Sequence, residues 1–284
     1  MESFLEFPSF SRETLRVIKK TIDATFREFS RNYGDSIETL FYPLKIFLLF
    51  VQNILVLTPW PLIMLAFVAA IFYFTKNKKL CVWSIFYMLF IGIFGLWEAT
   101  MYTLSLVIVS TVLCIAMGVP IGVLMAKFNK AERIINPILD VMQTIPIFVY
   151  LIPVVMLLGL GLVPGLISMS IYAIPPIIRL TNLGIRQVDR GIIEAALALG
   201  LTPFVILHRI ELPLAIKSVL TGTNQTIMMA IAMVVIASMI GVQGLGTIVL
   251  QAVQNQYIGA GIISGIAVVG LAMILDRTVQ NIKK

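Results

Sequence analysis

Few residues of this 284-residue chain are placed to do covalent chemistry. The single histidine, His208, stands beside Arg209 with no nucleophile–base arrangement around it, so it reads as a structural side chain. Cys81 and Cys114 lie in or at the edge of apolar runs and read as packed free thiols. No G-x-x-x-x-G-K-[ST] phosphate loop occurs, so the chain is not expected to bind ATP through one. No Cys/His cluster has the spacing of a metal site, and none is expected. What remains is a set of polar groups inside apolar runs: Gln143, Thr144, Asn224, Gln225 and Thr226. A polar group surrounded by lipid either lines a pathway or bonds across to another helix. Tyr150 either stacks on a quaternary ammonium by cation–π attraction or serves as packing. This is chemistry of passage, not of bond breaking.

A second constellation has no reactive group but a definite shape. From Asp189 to Pro213 the chain reads DRGIIEAALALGLTPFVILHRIELP. Asp189 is expected to cap a short helix carrying Glu194 near its start. Ala195, Ala196 and Ala198 favour helix and keep its profile thin. Gly200 suits a left-handed stop, and Thr202 with Pro203 opens a second helix. An Ala-rich, partly apolar helix exposed between two membrane spans marks a partner site, and a helix seated in a groove transmits a rigid push.

The surrounding composition says what must position these residues. The chain is 59% hydrophobic and only 12% charged, with a mean hydropathy of +1.00. Such a sequence has too little polar surface for a water-soluble globule, and lipid is its natural solvent. Apolar runs predict seven spans, at roughly 54–74, 80–97, 99–126, 136–160, 163–180, 214–240 and 258–276. The fourteen Lys/Arg residues from Ile46 onward fall in or beside alternate breaks, including Lys76–Lys79, Lys127–Arg133, Arg179–Lys217 and Arg277–Lys284. The breaks near 97–99, 161–164 and 241–257 hold none. The basic set therefore belongs in the cytoplasm, with the C-terminus inside and the N-terminus outside. The same distribution accounts for the net charge of +7 and argues against nucleic acid as a partner.

Residues 1–53 form a separate tail. Its first 45 residues carry seven basic and seven acidic groups, and Leu15, Ile18, Ile22, Phe26 and Phe29 make one apolar stripe. This predicts an amphipathic helix lying in the membrane interface and ending at Gly34. Residues 39–53, with Pro43 and Lys45, read as an interfacial lead-in. Met1–Pro8 lack a basic stretch followed by an apolar core, so no cleaved leader is expected. Gly118, Pro120, Gly122, Pro175 and Pro176 lie within spans, as hinges or as packing points.

The segment Glu194-Ala195-Ala196, three residues, Gly200, nine residues, Ile210-Glu211-Leu212-Pro213 resembles the EAA loop of binding-protein-dependent ABC importer permeases at every fixed position. Met142–Pro153, Leu180–Val188, Met233–Gly241 and Leu275–Arg277 are similar to the glycine betaine/proline betaine branch of that family. The resemblance implies an all-α, polytopic transmembrane bundle of the type I importer kind. Two peripheral helices (54–97) would precede a core (98–284) that carries a cytoplasmic coupling loop at 181–213. It implies that Glu194, Ala195, Ala196, Gly200, Ile210, Leu212 and Pro213 dock on an ABC ATPase dimer, where ATP and magnesium are bound. It also implies a second permease copy, an extracytoplasmic substrate-binding protein and a prokaryotic cell membrane. The expected cargo is a quaternary-ammonium compatible solute such as glycine betaine or proline betaine, the alternatives being choline, carnitine or an amino acid. An ion-coupled transporter would want acids or bases within the spans, and the late spans offer only Asp140 and Asp276 near cytoplasmic ends.

Overall fold

The computed structural model describes residues 10–282, and the readings made on Met1–Pro8 and on Lys283 and Lys284 lie outside them. Helix α1 (Arg12–Leu57) opens with Ser11, whose hydroxyl accepts from the Thr14 amide. It runs unbroken through Gly34, where a stop was expected, and through Pro43. Gly34 serves a close approach instead. Ser30 Oγ donates to the Met156 carbonyl at 2.7 Å, and a Cβ on Gly34 would stand 3.3 Å from the Leu157 carbonyl. The expected interfacial lead-in at 39–53 is part of Ser36–Leu57, a 22-residue stretch long and apolar enough to cross a membrane.

The run expected to be the first span, 54–74, is cut by Thr58 and Pro59. Two helices of 16 residues each follow, α2 (Trp60–Thr75) and α3 (Lys78–Ile93), each shorter than the roughly 20 residues that span a bilayer. Lys76, in the left-handed region, and Asn77, whose side chain accepts from the Lys79 and Leu80 amides, turn the chain between them.

Helix α4 (Trp97–Lys127) is 31 residues long. The expected fourth span, 136–160, is instead a bent pair, α5 (Asn129–Thr144) and α6 (Ile147–Leu158), meeting at 99°. Pro146 forces Ile145 out of the helical region, to a ψ of 130°. Helices α7 (Leu162–Ala173) and α8 (Pro175–Arg186) together make a 25-residue apolar unit. The short α9 (Arg190–Ala198) precedes α10 (Pro203–Ile206), a π-helical turn at Leu207–Glu211, and α11 (Leu212–Ser238). The chain closes with the short apolar α12 (Leu245–Gln254) and with α13 (Ile258–Asn281). Helix thus extends into both ends of 181–213 and into the outer break 241–257. Among the described residues five helices are long and apolar enough to cross a membrane, or six if the bent pair counts as one span, against the seven expected.

The core is a packing of α4, α8 and α11 with no room for side chains at the crossings. A Cβ on Gly122 would lie 2.7 Å from the Ile178 carbonyl, and one on Gly118 would meet Ile177 at 2.4 Å. Gly184 meets Ser218 and Gly222 meets Ile177 in the same way. Small residues let helix backbones approach where lipid offers no hydrophobic drive for association.

The three breaks that carry no Lys or Arg converge at one end of the bundle. Gly161 N–H donates to the Ile240 carbonyl at 2.9 Å, and Leu245 N–H donates to Thr103 Oγ1 at 2.8 Å, within two turns of the start of α4. At the other end the basic breaks after α4 and α8 meet.

Candidate functional site

Helix α9 is built by its flanks. Asp189 Oδ1 accepts from the Gly191 amide at 2.7 Å, the cap expected of it. At the far end the Gly200 amide donates to Leu197 and the Leu201 amide to Ala196, the two bonds of a Schellman stop. Gly200 has φ +77°, the left-handed conformation expected of it. The result holds an apolar edge out to solvent: Leu197 is 51% exposed, Leu199 81% and Phe204 70%. Glu194 and Ala195 are exposed, while Ala196 is buried and anchors the helix to the body. Ile210 and Leu212 are half-buried and Pro213 is exposed, at the root of α11. The motif thus falls on two elements joined through Gly200. The second is not a separate short helix: it passes through the π-turn directly into a membrane span. Between α9 and this second element lies only the short turn Leu199–Thr202.

Two polar clusters bind this end of the molecule. Lys127, in the last turn of α4, makes an ion pair with Glu211, which is 4% exposed at the end of the π-turn. Arg186, at the end of α8, donates to the Met125 carbonyl and to Asn129 Oδ1, each at 2.8 Å, and pairs with Glu132 at 2.9 Å. Asn182 joins both, donating to Glu132 at 2.9 Å and accepting from Arg186 at 3.0 Å. Arg179 pairs with Asp140 at 2.5 Å. Sequence reading singled out none of these pairings. Their signal was present only as Lys and Arg in alternate breaks, which names no partner. His208 stacks on Phe204 with ring centroids 4.1 Å apart, and its Nδ1 lies 3.0 Å from the Phe204 carbonyl.

The six polar and aromatic residues suggested for a pathway do not form one cluster. Gln143 and Thr144 are exposed at the α5–α6 bend. Tyr150 donates to the Met142 carbonyl across that bend, and its ring meets Tyr172 edge-on at 6.4 Å. On α11, successive residues point three ways. Asn224 donates to Asp276 of α13 at 2.5 Å, Gln225 is exposed and Thr226 is fully buried. Gln225 belongs to an exposed stripe with Lys217, Thr221, Met228, Ala232 and Met239. Their spacing of three, four and, at the end, seven residues keeps them on one face of the helix. A membrane helix with amide and hydroxyl groups on its open face needs water or another protein surface there. Among the described residues no group of three His, Cys, Asp or Glu side chains is arranged to hold a metal.

Residues 118–284 match the family described as binding-protein-dependent transport system inner membrane component. The chain is 45% identical over 228 residues to the glycine betaine/carnitine transport permease protein GbuB of Listeria monocytogenes, covering 80% of this chain and 81% of that one. It is 43% identical over 231 residues to the glycine betaine/proline betaine transport system permease protein ProW of Escherichia coli, covering 81% of this chain and 65% of the relative. To the glycine betaine transport system permease protein OpuAB of Bacillus subtilis it is 44% identical over 215 residues, 76% of each chain. In fold it is similar to a chain of the inward-facing MetNI methionine ABC transporter, with a TM-score of 0.58 at 23% identity over 68% of this chain and 98% of that one.

Proposed function

The chain belongs to the binding-protein-dependent transport system inner membrane component family and is a multi-pass permease subunit, not itself an enzyme; we propose that it imports a quaternary-ammonium compatible solute, glycine betaine or proline betaine, in an ATP-driven complex. The observation that carries the coupling part of this reading is α9, a capped helix with exposed Leu197 and Leu199, stopped at Gly200 and joined by a four-residue turn to the helix that enters a membrane span. An apolar edge at the membrane surface calls for a protein groove. In this proposal the groove lies on a separate ATPase dimer that holds ATP and magnesium. Glu194, Ala195, Ala196 and Gly200 dock there, and Ile210, Leu212 and Pro213 pass the displacement on. The exposed polar stripe of α11 faces a second permease copy, and the pathway runs between the two copies past Gln225 and Thr221. Gln143, Thr144 and Tyr150 at the α5–α6 bend, with Asn224 and Thr226, serve the same passage. An extracytoplasmic binding protein delivers the solute. The names of the relatives support betaine as cargo.

The test is reconstitution in liposomes with the ATPase and the binding protein. Glycine betaine is expected to stimulate ATP hydrolysis and to accumulate in the lumen, while the isolated chain turns over no ATP. Stimulation by an amino acid and not by betaine would reassign the cargo, and full turnover by the isolated chain would remove the division of labour.

We further infer that α13 ends inside, with the basic breaks. The outside N-terminus expected from seven spans does not carry over directly, because Ser36–Leu57 adds a crossing ahead of α2 while α4 still starts at the Lys/Arg-free end. Single cysteines at Ser11 and Asn281, on a background lacking Cys81 and Cys114, read both ends: Asn281 should label from the inner face, and Ser11 from the inner face if Ser36–Leu57 crosses and from the outer face if it lies in the interface. Labelling of Asn281 from outside would reverse the bundle.

A further inference from the structure

Away from the coupling end, α3 and α13 enclose a groove of about 930 Å³ with almost no polar lining. The two helices touch at its floor. Tyr87 donates to the Ala267 carbonyl at 2.9 Å, and its ring covers Gly270, where a Cβ would stand 2.5 Å away. They run antiparallel, because α3 ends beside the start of α4 and α13 begins after α12, which bonds to α4 at Thr103. The start of α3 and the end of α13 therefore share the cytoplasmic end. The walls are Trp83 and Phe86 on one side and Ile266 and Met273 on the other, all more than half exposed. Gly265 leaves its own position open, with nothing within 4 Å of an added Cβ.

The groove ends in positive charge. Arg277 lines it one turn beyond Met273. Lys79 precedes Trp83 by four residues and Phe86 by seven, so it lies on the groove face of α3. Both cations are exposed. From Gly261 to Arg277 the groove follows α13 for about 24 Å, longer than the roughly 15 Å of one hydrocarbon leaflet. We propose that this groove binds one phospholipid with an anionic headgroup, the acyl chain lying against Gly265 and the phosphate between Lys79 and Arg277. An apolar channel alone would suit any chain or a neighbouring helix. Two cations at its cytoplasmic end, at headgroup depth, favour a lipid that carries negative charge.

The experiment is native mass spectrometry of the full-length chain purified from membranes in mild detergent. It is titrated with phosphatidylglycerol or with phosphatidylcholine of the same acyl chains. Wild type is expected to retain one phosphatidylglycerol in preference to phosphatidylcholine. Lys79→Gln with Arg277→Gln should weaken phosphatidylglycerol by about thirtyfold, each cation contributing about fivefold, and leave phosphatidylcholine unchanged. Gly265→Phe, whose Cβ would meet nothing within 4 Å and whose ring would occupy the groove, should lower retention of both lipids. Equal retention of the two lipids by wild type would overturn the proposal, as would a double variant that still selects phosphatidylglycerol. A cysteine at position 265 that cross-links to another polypeptide in native membranes would show a helix, not a lipid, in the groove, and would overturn it too.

Discussion

Lys127→Met is expected to destabilise the assembled protein, by less than the roughly 3–5 kcal/mol of breaking a fully buried ion pair, because only one of the two partners is fully buried. Glu211 is 4% exposed at the end of the π-turn, and Lys127 is its ion-pair partner. Without the ammonium the carboxylate is left buried without its partner unless the turn opens to reach water. The lysine side chain is one-third exposed, so solvent already weakens the attraction between the two. The cost is dominated by the stranded acid, not by the lost attraction. The reverse change, Glu211→Leu, leaves a lysine that can reach water and should be milder. Replacing both, Lys127→Met with Glu211→Leu, should recover most of the loss, because an apolar pair of similar volume avoids desolvation altogether. Thermal midpoints and solute uptake of the four proteins form a double-mutant cycle. If Lys127→Met melts and transports like wild type, the pair does not hold α4 to the root of α11. If the double variant is stable but transports poorly, the ion pair serves movement beyond its part in stability.

Gly200→Leu is expected to abolish most uptake while the chain still inserts. A Cβ at Gly200 would meet nothing within 4 Å, so the substitution costs backbone strain alone, through φ +77°. For a branched L-residue that strain is about 1–2 kcal/mol, or roughly a five- to thirtyfold loss in docking if it is relieved by rotating α9. Gly200→Asn should fall between, since asparagine tolerates the left-handed region. Glu194→Ala should be mildest, because Glu194 is exposed and lies beyond the first turn of α9, where the helix dipole no longer favours an acid. Co-purification of the ATPase and solute uptake, measured on each variant, should follow that order. Wild-type assembly and uptake in Gly200→Leu would mean that α9 is not the coupling element.

The readings that matched the structure were local ones. Asp189 and Gly200 act within one or two turns of themselves, through bonds to Gly191 and from Leu201 to Ala196. A cap or a left-handed stop needs only its immediate neighbours, so residue type and spacing suffice. Gly34 shows the limit of the same rule. The residue that ends α9 at position 200 continues α1 at position 34, because there the missing Cβ admits the Leu157 carbonyl of a distant helix. Pro146 breaks the expected fourth span while Pro43 and Pro120 leave their helices continuous. Whether neighbouring groups compensate for a lost amide is not written beside the proline.

The sequence by itself determined the solvent, the helical class and the shape of α9. Each follows from composition or from short-range backbone bonding. Only the tertiary structure decided that Gly118 and Gly122 are contact points for α8, that Glu211 is buried against Lys127, and that Asn224, Gln225 and Thr226 face three different surroundings. The physical reason is that lipid solvates the outside of a membrane bundle as well as its neighbours do. Apolar periodicity therefore carries little information about which helix face meets which helix, and the close approaches of small residues and the pairing of distant polar groups settle it instead.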